Sequence, residues 1–133
     1  MAEQDRIRQK QDVKTKPCTR NEREKETVKE LFRLRRWLHS HPELSMEEEQ
    51  TSRFIADYLE TFGIPCRIIE KTGVIGTLMA ESTDETSLPT IAIRAEIDGL
   101  PICENTGLPF SSVYPGRMHA CGHDAITAVV LCL

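Results

Sequence analysis

The residues best equipped for chemistry stand together in "MHACGHD", residues 118–124: His119, Cys121, His123 and Asp124. Thiolate and imidazole are the ligands that zinc and related divalent ions favour. The Cys-x-His spacing lets an extended segment aim Cys121 and His123 at one point, since alternate residues share a face. Gly122 between them removes side-chain crowding, and His119 falls on the same side if the extension continues. Asp124 is placed to support a metal-bound imidazole from behind, as carboxylates often do. Spacing alone does not separate this reading from an incidental cysteine near histidines.

Asp98 is a second candidate. It follows the alternating run "TIAIRAEI", residues 90–97, and open α/β sheets place their ligands past the carboxyl ends of strands. Glu96 lies two residues earlier on the same face. Asp98-Gly99 is equally a common turn dipeptide. His39 and His41, in "HSHPE", form a third pair. Their position before Pro42 favours service to a helix end and its dipole over ligation.

These residues need a scaffold. A first helix is expected from about Asn21, capped by Asn21 with Glu24 as a capping box. Val28, Leu31, Phe32, Leu34, Trp37 and Leu38 give its apolar face, and Pro42 ends it. A second box, Ser45 with Glu48, opens a helix carrying Thr51, Phe54, Ile55, Tyr58, Leu59 and Phe62. Gly63 and Pro65 close it. Strands are expected at 66–70 and 73–80, separated by Lys71 and Thr72, and at 90–97 after a polar loop, 81–88. Residues 98–123 are irregular and rich in Gly and Pro, which in a compact domain favours function. Asp124 then caps a last helix over 125–133. The order implies a layered α/β domain.

Length and composition narrow the function classes. The chain has 133 residues, 39% hydrophobic and 29% charged, with 17 basic against 21 acidic residues and a net charge of −4. Nothing in that balance calls for nucleic acid or an anionic membrane as partner. The opening residues lack the apolar stretch of a secretory signal. The longest apolar run, "AITAVVLCL", falls short of the ~20 residues that span a bilayer. Five cysteines, irregularly spaced and without a CxxC pair, fit a reducing compartment, so a cytoplasmic location is expected. Residues 1–25 read as a charged flexible tail and 26–133 as the domain. The last helix is apolar nearly all round and should be buried on every side. Such an ending predicts that the sequence is part of something longer, truncated in a buried helix.

Four blocks taken together, "RLRRWLHSHPELSMEEEQTSRFIADYLETFGI", "KTGVIGTL", "IAIRAEIDGLPICENTGLPFSS" and "PGRMHACGHDAITA", resemble in order and spacing the N-terminal part of the M20 metallopeptidase family. The nearest branch is that of the amidohydrolases: N-acyl-amino-acid, hippurate and auxin-conjugate hydrolases. The resemblance covers about residues 30–133. It implies the N-terminal part of a Zn-peptidase-like catalytic α/β domain, with helices packed on a mixed β-sheet, incomplete here. It also implies two divalent metal positions, zinc or manganese, and a smaller inserted domain for dimer contacts or a lid. The implied reaction is hydrolysis of the amide of N-acyl amino acids. Cys121 and His123 match metal ligands and Asp98 matches an aspartate that supports the metal site. His119, Asp124 and Glu96 have supporting or unassigned places.

The resemblance also marks what is missing. The general-base glutamate and further ligands belong to later blocks that these 133 residues do not contain. Two family-type ligands are not expected to hold the metal tightly. Ile126 stands where the family commonly has His, and Glu96 where it often has Asp. A non-catalytic isoform or pseudoenzyme, binding metal weakly or associating with a full-length relative, is the alternative. A structural metal module built on His119, Cys121 and His123 would leave the other blocks unexplained.

Overall fold

The computed structural model describes residues 19–79 and 89–133. The expected tail up to residue 18 and the expected loop 81–88 lie outside the described residues.

Helix α1 (Arg20–Ser40) starts at a capping box, though one placed earlier than Asn21 and Glu24. Thr19 Oγ1 accepts the Glu22 amide at 3.3 Å, and the Glu22 carboxylate accepts the Thr19 amide at 2.8 Å. Thr19 has the extended backbone that a cap needs, while Asn21 is already helical. The boundary drawn at residue 25 therefore falls inside α1. At the other end, His41 Nδ1 lies 2.8 Å from the Trp37 carbonyl, so His41 does serve the helix end. His39 does not.

Helix α2 (Glu49–Glu60) starts later than the Ser45–Glu48 box would place it. Met46 has φ +70°, which breaks the helical path before Glu48. Its cap is instead tertiary: the Glu43 carboxylate accepts the Thr51 amide at 2.7 Å, the Thr51 hydroxyl at 2.8 Å and the Gln50 amide at 3.2 Å. One buried carboxylate thus satisfies two of the amides that the first turn leaves open.

Strands β1 (Cys66–Ile69) and β2 (Gly73–Gly76) form an antiparallel hairpin in the register Cys66↔Gly76 to Ile69↔Gly73. The loop is Glu70–Thr72 rather than Lys71 and Thr72, with Glu70 and Lys71 at φ +49° and +71°. Residues 90–97 do not join this sheet. The expected mixed sheet is reduced, among the described residues, to the hairpin. Extended backbone becomes a strand only when a neighbour takes its N–H and C=O groups. Here Ile91 and Ile93 stay 82% and 62% exposed.

Helix α3 (His123–Leu131) is preceded by Gly122 at φ +89°, which occupies the cap position expected of Asp124. Asp124, Thr127 and Ala128 are buried, at the i, i+3, i+4 spacing of one face. Burial on every side does not hold: Ile126 and Val129 are about half exposed, because only one face meets α1. The core is Leu34, Leu38 and Ala128, flanked by Leu31, Trp37, Phe54, Tyr58 and Leu131. Trp37 stacks between His41 and Phe54 and ties α1 to α2. No helix among the described residues is long and apolar enough to cross a membrane.

Candidate metal centre

The fold brings Asp98 and His123 together. His123 Nδ1 lies 2.9 Å from Asp98 Oδ1 and 3.2 Å from the Asp98 carbonyl oxygen. A nitrogen facing two acceptors carries the proton and donates it. The Nε2 lone pair is then left for a metal.

Asp98 is fixed by its neighbour. Gly99 is clamped by backbone on both sides: its amide donates to the Glu43 carbonyl at 2.7 Å, and Leu100 pairs with Met118. A Cβ at Gly99 would lie 2.7 Å from Pro42 Cβ. The glycine at 99 serves this close approach rather than the turn that its dipeptide suggests.

The other candidates part company. The left-handed backbone at Gly122 ends any extension, so Cys121 and His123 do not share the face of an extended segment. Cys121 is exposed on the turn before α3. His119 turns inward: it is 4% exposed, and neither ring nitrogen has a partner among the described residues. Burial lowers its pKa below the ordinary histidine value. Glu96 pairs through its side chain with Arg94 at 2.5 Å, and its carbonyl accepts the Thr127 hydroxyl. Asp124 reaches α1, where its Oδ2 meets His39 Nδ1 at 2.7 Å and Arg35 Nε at 3.0 Å.

That last contact opens onto a buried network that sequence reasoning missed. His39 Nε2 lies 3.2 Å from Glu104 Oε1. Glu104 also accepts the Ser112 amide at 2.6 Å and the Thr106 hydroxyl. Burial acts to raise the Glu104 pKa, but these hydrogen bonds and the His39 ring outweigh it and hold it down at about 2. One signal was present: Arg35 and His39, four apart, flank the Leu34–Leu38 stripe that had to be buried. Their carboxylate partners lie 65 and 85 residues away from His39, beyond any local pattern.

The donor chemistry fits a divalent metal in kind, with an oriented imidazole and an exposed thiol in the same turn. It falls short in number: no three His, Cys, Asp or Glu side chains converge on a metal-sized point among the described residues. Catalytic zinc usually has three protein ligands.

A histidine at the first residue of a helix, held through Nδ1 by an aspartate, is an arrangement that orients an imidazole for a metal. Comparison narrows this. The profile of peptidase family M20/M25/M40 matches residues 92–133. N-acetyl-L-cysteine deacetylase of Bacillus subtilis is 50% identical over 104 residues, covering 77% of this chain and 24% of the relative. N-acyl-L-amino acid amidohydrolase of Geobacillus stearothermophilus is 41% identical over 107 residues, covering 80% of this chain and 28% of the relative. Among solved structures, the Bacillus subtilis YXEP protein, a dinuclear metal-binding peptidase of the M20 family, superposes with a TM-score of 0.73 at 45% identity. That match covers 80% of this chain and 29% of the other. Sequence and fold match the M20 peptidases in their amidohydrolase branch. The chain spans about a quarter of the length of the relatives it matches.

Proposed function

We propose that this chain supplies part of the metal centre of an M20-type amidohydrolase acting on N-acyl amino acids. The observation that carries the reading is the Asp98–His123 hydrogen bond, 2.9 Å long, which joins two sequence blocks 25 residues apart. Asp98 holds the imidazole in the tautomer that offers Nε2, and Cys121 offers a thiolate from the adjoining turn. A divalent ion held there, zinc or manganese, supplies Lewis-acid polarisation of an amide carbonyl. The small-molecule substrate class follows the relatives, which are a deacetylase and an amidohydrolase. Four free cysteines among the described residues support a cytoplasmic setting.

The test is zinc and manganese titration of the purified chain alongside Cys121→Ser and His123→Ala, with an assay for release of the amino acid from its N-acyl form. Binding that either substitution abolishes supports the reading. A native chain that binds neither ion removes it. That only two candidate donors, Cys121 and His123, stand in one turn among the described residues favours a second reading, a non-catalytic product that binds metal weakly. Chelator-sensitive hydrolysis by the purified chain would rule that out.

A further inference from the structure

Asp124 directly follows the candidate ligand His123, and its side chain meets His39 and Arg35 of α1. We propose that His39 is a positioning residue for the metal centre: clamped between Asp124 and Glu104, it fixes the first turn of α3 and with it the direction in which His123 presents Nε2. The proposal rests on the metal-centre reading above.

The first turn of α3 has little local restraint. Its cap is Gly122 in the left-handed region, and no side chain caps it. Besides the apolar packing of α3 on α1, three side-chain contacts locate the turn. His123 reaches Asp98 at 2.9 Å, and Thr127 Oγ1 donates to the Glu96 carbonyl at 2.9 Å. Both run toward residues 96–98. Of the three, only Asp124 reaches α1, through His39 and Arg35, one turn before Ala128 packs against Leu34 and Leu38. Successive helical side chains are rotated by ~100°. Holding Asp124 against α1 therefore sets the azimuth of His123.

His39 is built for this task. Each of its ring nitrogens faces a carboxylate oxygen, Asp124 Oδ2 at 2.7 Å and Glu104 Oε1 at 3.2 Å. The side chains of His39, Asp124 and Glu104 are only 3%, 1% and 4% exposed. Without His39, Asp124 would keep only Arg35 as a partner and Glu104 only the Ser112 amide and the Thr106 hydroxyl, and nothing among the described residues would join the two carboxylates across α1. Glu104 is in turn anchored by the Ser112 amide, so the clamp has a fixed far side.

The test reads His123 itself. In the 15N-histidine-labelled, metal-free chain at neutral pH, long-range 15N–1H spectra should show His123 protonated at Nδ1. His39→Gln, whose donors sit on one nitrogen and do not span the two carboxylates as the two ring nitrogens do, should shift His123 toward a mixture of tautomers and weaken zinc binding about tenfold, the scale of losing an outer-shell partner. Glu104→Gln leaves the His39–Asp124 contact in place and should shift the same signals less. A role confined to stability would lower the melting temperature and leave the His123 nitrogen shifts unchanged in both folded variants, and that result overturns the proposal. If His39→Gln does not fold, Glu104→Gln decides by the same signals. Failure of the native chain to bind zinc removes the metal reading, while the His123 tautomer still decides whether His39 positions that ring.

Discussion

At the scale of single residues, the centre depends on one missing methyl group. Gly99 lies between Pro42, the Glu43 carbonyl and the Met118 carbonyl, at 2.7, 3.4 and 3.4 Å from where a Cβ would stand. Pro42 Cβ belongs to a rigid ring and cannot swing aside, so the backbone must move. Gly99→Ala should cost about 1–3 kcal/mol, the usual range for overpacking, measured by urea unfolding. It should also displace Asp98 and lengthen its bond to His123. Full stability in this variant would show that the clamp relaxes freely. The sequence offered Asp98-Gly99 as a turn or a site. The requirement for glycine became visible only when residues 42–44 and 118 met around it.

Elements here are held by contacts from outside themselves. Helix α2 carries a capping-box pattern, yet its open amides are met by Glu43, which is 5% exposed. Glu43→Ala leaves the Thr51 amide and hydroxyl buried without an acceptor and should destabilise by about 1–3 kcal/mol. A scan of thermal stability checks this, and a neutral result would mean that water enters the turn. The segment 90–97 is the opposite case, an element whose outside partner is lacking among the described residues. Its alternation of Ile with polar residues is that of a strand, but Ile91 and Ile93 face solvent. Unpaired apolar edges of this kind template association. Ile91→Thr with Ile93→Lys should therefore reduce light scattering of the concentrated chain while leaving its melting temperature within a degree or so, since surface changes usually fall within ~0.5 kcal/mol. Unchanged scattering would place the sticky surface elsewhere.

At the scale of the whole molecule, the buried network joins α1, the irregular stretch after Asp98 and α3, and so ties stability to pH. Glu104 has a folded pKa of about 2 against an ordinary 4.5. A depressed carboxylate contributes stability that is fully present above its unfolded value and lost as pH falls through its folded one. The contribution should be complete above about 4.5 and vanish as the pH drops toward 2. The urea midpoint followed from neutral to acid pH should fall in that window. Glu104→Gln should start lower at neutral pH and lose less across it. An equally steep fall in the variant would move the acid sensitivity to other carboxylates.

The sequence by itself determined the helices, the hairpin and the chemistry of the motif, but not the fate of residues 90–97. Periodicity fixed α1 and α2 to within a few residues, because an amphipathic stripe is a local property. The hairpin followed from β-branched runs around a short polar break. Cys121, His123 and Asp98 stood out as candidates because ligand chemistry belongs to residue type, and because four blocks stood in the order and spacing of a family. Only the tertiary structure decided which residues meet. It paired Asp98 with His123, turned His119 inward, left Cys121 exposed, and sent Asp124 to His39 instead of to a metal-bound imidazole. Those outcomes rest on contacts between residues 25 to 85 positions apart and on a left-handed glycine at 122. Pairings over such separations depend on how helices and loops pack together, and no local pattern of side chains records that.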